Sequence, residues 1–311
     1  MTKPAHSNSN HSLPHKEGGG RVFGLLGYPL GHSFSRAFFN NKFAEEGIDA
    51  EYLNFELPSI EQLPQVLADH PALRGFNVTI PYKQAVIPYL DALSDEARAI
   101  GAVNVVKVCP NPSLTPPVGG RTSEAKYLQA ETRLSPTRGE RGEGPYLKGY
   151  NSDIIGFMDS IRPLLQPHHR RALVLGTGGA SKAICRGLEK LGLQWRYVSR
   201  TGSPAACPVL GDCVAEFPPL SYSALTPALL ADYTVIVNCS PLGMYPKVDT
   251  CPAIPYEALT PRHLLYDLVY NPEETLFMKR GREHGATVKN GLEMLHLQAL
   301  ASWNFWTEES E

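Results

Sequence analysis

The turn Gly176-Thr177-Gly178-Gly179-Ala180-Ser181 follows the apolar run Ala172-Leu173-Val174-Leu175 and opens a helical pattern that runs to Leu191. A glycine turn set between a strand and a helix is a dinucleotide-binding fingerprint. Gly176 permits the tight turn, Gly178 lets the backbone approach a pyrophosphate, and the helix N-terminus favours the anion. Thr177 and Gly179 complete the turn, and the small side chains of Ala180 and Ser181 let helix and strand pack closely. The next strand ends in Ser199-Arg200-Thr201, where an NAD site usually carries Asp or Glu for the ribose hydroxyls. Arg200 can pair with a 2′-phosphate that a carboxylate would repel, or stack on the adenine. NADP is the expected cofactor and NAD the second choice. A surface arginine with no cofactor role is the plain alternative for Arg200.

Five other segments are polar where a simple fold would not require it. They are Gly27-Tyr28-Pro29-Leu30-Gly31-His32-Ser33-Phe34-Ser35, Asn77-Val78-Thr79-Ile80-Pro81-Tyr82-Lys83, Gly101-Ala102-Val103-Asn104, Gly149-Tyr150-Asn151-Ser152-Asp153 and Gly291-Leu292-Glu293-Met294-Leu295-His296-Leu297-Gln298. Ser33 and Ser35 follow the first strand and can both donate to a carboxylate; a single serine there would be read as a helix cap. Lys83 begins a helix just after Pro81, where the positive end of the dipole disfavours an ammonium ion. That suits proton exchange with an alcohol or ketone oxygen. Asp153 starts another helix, where a carboxylate is favoured. These residues alone leave two readings open, a catalytic pair and a surface salt bridge joining two helix starts. Gln298 lies among Leu295, Leu297 and Leu300, so its amide needs a buried partner, and a substrate hydroxyl or a backbone carbonyl would each serve.

The elements that must position these groups alternate regularly. Strands are expected at 22–28, 51–55, 75–80 and 103–108, between helices at 34–46, 60–68, 84–90 and 95–100. A second block begins near Asn151, with a helix at 153–165 and strands at 172–175, 195–199, 234–238 and 264–269. Such alternation argues for largely parallel sheets covered by helices. The apolar helix at 292–306 comes after the second block and is expected to return to cover the first. Residues 110–145, rich in proline, glycine and arginine, read as an insertion between two strands of a hairpin, and 202–220 as a loop.

Bulk properties exclude several classes. A chain of 311 residues with net charge −2 offers no basic field for nucleic acid or an anionic membrane. It holds no apolar run of the roughly 18–20 residues that span a bilayer. The first twenty-one residues read as a flexible polar tail without a signal peptide's apolar stretch, so the cytoplasm is the expected location. Six cysteines without a C-x-x-C pair read as reduced thiols. His6, His11 and His15 sit in the tail with nothing to fix their geometry, and no metal is expected.

Taken together, the glycine turn and the five polar segments resemble the shikimate dehydrogenase family, from residue 22 to 306 apart from 110–145 and 202–220. The resemblance implies reversible reduction of 3-dehydroshikimate to shikimate, a step of chorismate and aromatic amino acid biosynthesis, by a monomer or homodimer. It implies that Lys83 and Asp153 are the catalytic pair, and that Ser33, Ser35, Thr79 and Tyr270 hold the substrate carboxylate. Asn104 and Gln298 match positions that bind ring hydroxyls, and Asn77 joins them on the substrate side. Asn238-Cys239-Ser240-Pro241-Leu242-Gly243-Met244 is similar to the segment near the nicotinamide, so Asn238, Ser240, Gly243 and Met244, with Leu268 and Gly291, are expected at the cofactor. The chain departs from the family at Cys239-Ser240, where Ala-Thr is usual, and at Ser152 and Val105, each in place of a threonine. Thr201-Gly202-Ser203-Pro204 also lacks a second basic residue that many NADP-using members carry. Alternatives are an NAD-dependent quinate/shikimate dehydrogenase and a non-catalytic ligand-binding relative.

Pattern and resemblance imply an α/β protein of two domains. Residues 22–152, completed by 292–311, would form an N-terminal substrate domain with a mixed, mostly parallel sheet. Residues 153–291 would form a Rossmann-type doubly wound NADP-binding domain.

Overall fold

The computed structural model describes residues 20–31, 34–109, 145–202 and 218–308. The expected polar tail, most of the 110–145 insertion and much of the 202–220 loop lie outside these residues. The rest builds two six-stranded sheets.

The first sheet comes from β1 (Arg21–Gly27), β2 (Ala50–Glu56), β3 (Leu73–Val78), β4 (Ala92–Leu93), β5 (Val105–Cys109) and β6 (Tyr146–Tyr150), in the order β2-β1-β3-β5-β6-β4. Helix α1 (Phe34–Glu45) crosses from β1 to β2, which pair in parallel, and α2 (Leu63–Asp69) leads on to β3, parallel to β1 on its other side. Only β5 is antiparallel to its neighbours, β3 and β6, so the sheet is mixed and mostly parallel. Two one-turn-scale helices follow, α3 (Tyr82–Ala85) and α4 (Asp95–Ile100). Ser94 caps α4 by accepting from the Ala97 amide, and Gly101 ends it in the left-handed region at φ 65°, a conformation glycine adopts without a Cβ clash.

The second sheet is parallel throughout. Its strands are β7 (Arg171–Leu175), β8 (Gln194–Ser199), β9 (Leu220–Ser221), β10 (Val235–Asn238), β11 (Leu264–Asp267) and β12 (Thr287–Lys289), ordered β12-β11-β10-β7-β8-β9. The order reverses between β7 and β10, which is the Rossmann arrangement with its switch point at the ends of those two strands. Helices α5 (Asp153–Ile161), α6 (Gly179–Lys190), α7 (Pro227–Asp232) and α8 (Leu276–Glu283) belong to this half of the chain. Buried on both faces, the central strands read as continuous Leu/Val/Ile runs.

The last helix, α9 (Leu292–Thr307), returns to the first sheet. Trp306 stacks on Phe23 of β1 with centroids 5.0 Å apart and donates its indole N–H to the Val106 carbonyl at 3.0 Å. Gly75 of β3 makes room for it, since a Cβ there would lie 2.2 Å from the indole ring.

Several boundaries differ from the sequence expectation. The helix expected at 84–90 starts earlier, as α3, and breaks into a separate 3-10 turn at Ile87–Tyr89 around Pro88. Leu220, placed in a loop, pairs with Val198 as the start of β9. The short strands β4, β9 and β12 and the helices α7 and α8 were not anticipated; two- or three-residue strands carry too few positions for a period to register.

Candidate active site

A cavity of about 300 Å³ opens where the carboxyl ends of β1 and β3 face α5, α9 and the segment after β11. Its walls include Ser35, Asn77, Thr79, Lys83, Asn104, Asp153, Tyr270 and Gln298, which are eight of the nine residues expected to handle the substrate. The ninth, Ser33, lies outside the described residues. Leu268 and Gly291, expected at the cofactor, line the same cavity, so it reaches from one sheet to the other.

Lys83 and Asp153 meet inside it. Lys83 Nζ donates to Asp153 Oδ2 at 2.6 Å, across seventy residues of sequence. Both side chains are largely withdrawn from solvent, at 17% and 10% exposure, so this is not the surface salt bridge that the sequence left open. The dipole argument for Lys83 needs correction: α3 has four residues, and a single turn carries little macrodipole. What Lys83 faces is the Asp153 carboxylate.

Asn104 holds that carboxylate from the other side. Its Nδ2 donates to Asp153 Oδ1 at 2.9 Å and to Ser152 Oγ at 3.0 Å, while its Oδ1 accepts from the Ser152 amide at 2.7 Å. Asn77 donates to the Asn104 carbonyl and to Ser302 Oγ, and accepts from the Tyr52 hydroxyl at 2.8 Å. Both asparagines therefore spend their N–H groups on the protein, and each has only acceptor capacity left for a ligand. Gln298 donates to the Leu295 carbonyl at 2.9 Å, one of the two partners foreseen for it, and its Oε1 accepts from Ser152 Oγ. Its second N–H remains uncommitted among these bonds. Burial pushes the Tyr52 phenol well up, against a hydrogen bond from Ser35.

The expected cofactor residues sit at the carboxyl edge of the second sheet, on both sides of the switch point. Gly176 follows β7 with φ 101°, and a Cβ there would approach the Ser240 amide at 3.3 Å, so this position favours glycine on both counts. Beside Gly178 and Gly179 there is open space. The amides of the first turn of α6 begin at that space, which fits a pyrophosphate against the helix N-terminus. Ser181 Oγ donates to the Gly178 carbonyl at 2.7 Å and fixes the turn. Thr177 and Ala180 flank the glycines. Ser199 ends β8 and accepts from the Gly202 amide at 2.9 Å; Arg200 is exposed beside it, with Thr201 next.

Across the switch point, Asn238 Oδ1 accepts from both the amide and the hydroxyl of Ser240, at 3.0 and 2.6 Å. Gly243 takes φ 88°, and Met244 is half-exposed at the loop tip. Asp267 lies behind this loop, fully buried. It accepts from Asn238 Nδ2 at 2.9 Å, the Val269 amide at 3.0 Å and Thr275 Oγ1 at 2.6 Å. Burial pushes its carboxyl up to about 6 despite those three donors, and the same burial raises the neighbouring Cys239 thiol.

Sequence reasoning passed over Tyr52, Ser302 and Asp267 because each is buried and none touches the cavity. A polar residue inside an otherwise apolar strand or helix was the available signal. Leu25, Pro29, Leu30, Phe34, Met294 and Leu295 also line the cavity and look like ordinary core residues in the sequence.

A parallel sheet in Rossmann order, joined to a second α/β sheet by a cavity holding a lysine–aspartate pair, defines a two-domain dehydrogenase class. Comparison with known proteins narrows it. The family model of the shikimate dehydrogenase substrate binding domain matches residues 25–106. A shikimate dehydrogenase (NADP(+)) of Caldanaerobacter subterraneus subsp. tengcongensis is 33% identical over 294 residues, covering 93% of this chain and 92% of that protein. The crystal structure of a chorismate mutase/shikimate 5-dehydrogenase fusion protein from Clostridium acetobutylicum is 31% identical, with TM-score 0.70 and coverage of 94% and 93%. That of the Thermus thermophilus shikimate 5-dehydrogenase in complex with NADP(H) and shikimate is 28% identical, with TM-score 0.69 and coverage of 92% and 93%. This chain belongs to the shikimate dehydrogenase family.

Proposed function

We propose that this protein is an NADP-dependent shikimate dehydrogenase that interconverts 3-dehydroshikimate and shikimate. The observation that carries the reading is the Lys83–Asp153 pair, 2.6 Å apart within a cavity walled by both halves of the chain. Residues 22–152 with 292–311 act as the substrate domain and 153–291 as the dinucleotide domain, in a cytoplasmic monomer or homodimer.

NADPH, when bound, supplies the hydride to the ring carbonyl. Gly176, Thr177, Gly178, Gly179 and Ala180 hold its pyrophosphate, and Ser199, Arg200 and Thr201 its adenosine phosphate. Asn238, Ser240, Gly243, Met244, Leu268 and Gly291 shape the nicotinamide side. Arg200 is the only basic residue among 199–202, and a guanidinium suits a 2′-phosphate.

The chain's own groups do the remaining work. Lys83 Nζ hydrogen-bonds the carbonyl oxygen and gives it a proton as reduction proceeds; in the reverse direction it takes the proton from the hydroxyl. Asp153 holds Lys83 through Oδ2 and orients the substrate hydroxyl, while Asn104 keeps Oδ1 in place. Hydroxyls of Ser33, Ser35, Thr79 and Tyr270 bind the ring carboxylate. Asn77, Asn104 and Gln298 recognise ring hydroxyls, Gln298 with its uncommitted N–H. Binding energy from these remote groups aligns the carbonyl for transfer.

The test is a kinetic matrix of shikimate and quinate against NADP+ and NAD+. Shikimate with NADP+ is expected to give the highest kcat/KM. Preference for NAD+ or quinate would overturn the specificity, and absence of shikimate-dependent NADP+ reduction at every pH where the protein stays folded would overturn the reading itself.

A further inference from the structure

Ser302, on α9, is fully buried behind the cavity wall and touches no ligand position. Three hydrogen bonds nevertheless converge on its hydroxyl. Its hydroxyl donates to the Gln298 carbonyl at 2.8 Å, one turn back along the helix. A carbonyl can only accept, so the single Ser302 proton is committed there. Its oxygen then accepts from Asn77 Nδ2 at 2.9 Å, and its 3.1 Å contact with Ser152 Oγ must be donated by Ser152.

That direction propagates. The Ser152 proton points toward Ser302 Oγ and toward Gln298 Oε1 at 3.3 Å, which leaves Ser152 Oγ as an acceptor for Asn104 Nδ2 at 3.0 Å. The Asn104 amide is pinned at its other end because the Ser152 backbone N–H, a pure donor, meets its Oδ1 at 2.7 Å. The second Asn104 N–H is thereby aimed at Asp153 Oδ1. Backbone groups thus fix both ends of the chain of bonds, at the Gln298 carbonyl and the Ser152 amide, and the polarity between them has one solution.

We propose that Ser302 is a positioning residue for the reaction, which sets the hydrogen-bond direction of Ser152 and Asn104 and so holds Asp153 for Lys83. The inference rests on the functional reading above. It also assigns α9 a part in catalysis beyond presenting Gln298. Without the Ser302 hydroxyl, Asn77 has a buried N–H without its acceptor, and the Ser152 proton is shared with nothing but Gln298. Both side chains then shift, and the carboxylate loses its fixed support.

Steady-state kinetics of Ser302→Ala and Ser302→Cys test this, with thermal melting to verify folding. The cysteine fills the site with a poor hydrogen-bonding group. Each variant is expected to lose about tenfold in kcat with shikimate, the scale on which small misplacements act, while KM for NADP+ stays within about twofold. In a Ser152→Ala background, Ser302→Ala should cost less than about twofold more, because the two act through one network. A folded Ser302→Ala or Ser302→Cys with wild-type kcat, or a full additive loss in the Ser152→Ala background, would overturn the proposal. Wild-type protein inactive with shikimate and NADP+ would instead overturn the functional reading. The wiring is then read without turnover from the crystal structure of Ser302→Ala: the Asn77 or Ser152 side chain leaves its present partners, and unmoved side chains refute it.

Discussion

Gly156 of α5 lies directly against the Met294 carbonyl of α9: a Cβ at Gly156 would sit 2.5 Å from that oxygen and 3.0 Å from the Gln298 backbone nitrogen. The two helices can cross this closely only because one of them has no side chain there. The crossing sets the height of Gln298 in the cavity wall.

Gly156→Ala should therefore do harm despite alanine's better helix propensity. That preference is worth about 1 kcal/mol, whereas overpacking against a rigid neighbour costs about 1–3 kcal/mol or more. A lowered Tm together with a raised KM for shikimate is expected from melting and steady-state assays. A variant at least as stable as wild type with unchanged KM would contradict the crossing.

Lys83→Ala should fold, bind cofactor and lose at least about 10²-fold in turnover, the lower range for general acid–base catalysis. Circular dichroism and fluorescence titration with NADPH check the first two points. Near-normal turnover would remove Lys83 from the proton path.

Arg200→Asp should reverse the cofactor preference. The new carboxylate repels a 2′-phosphate and accepts from ribose hydroxyls, so the ratio of kcat/KM for NADP+ over NAD+ is expected to fall by about 10²-fold or more, as several kcal/mol of charge pairing turn repulsive. An unchanged ratio would make Arg200 a surface residue only.

Asp267 predicts a pH signature in stability. Its folded carboxyl titrates near 6, above the ordinary 3.8, so between those values the folded state holds a proton that the unfolded chain has released. Stability contributed at low pH is lost as pH rises through that window, by roughly 3 kcal/mol at most. Asp267→Asn does not titrate, so urea unfolding should show it gaining on wild type from pH 4 to pH 7. A constant difference between the two proteins would refute the raised value.

Much of this architecture was legible in the sequence, and the reasons differ by element. The strands β7 and β10 and the glycine turn announce themselves because a buried parallel strand is a run of Leu, Val and Ile and because Gly176 needs φ 101°. Lys83 and Asp153 stood out as charges at element starts, but their 2.6 Å contact depends on α3 and α5 being brought together, which no local pattern encodes. Asn77 and Asn104 were expected on the substrate side, with no sign of which of their groups the protein itself uses. Their N–H groups turned out to be spent on Ser302, Ser152, Asp153 and a backbone carbonyl, partners scattered from 104 to 302 in the sequence. Ser302 was passed over for the same reason: one serine in an apolar helix marks a buried polar group but not the partners it faces.

The return of α9 to the first sheet also has a consequence for biogenesis. During translation the ribosome releases β1, with Phe23, about 280 residues before Trp306, the side chain that stacks on it and seals the groove at Gly75. At about 5–20 residues per second the nascent substrate half waits many seconds with that aromatic seam bare, while the parallel sheet between can already form. The substrate half is thus begun first and finished last. In a nascent chain it is the part exposed longest to proteases and chaperones.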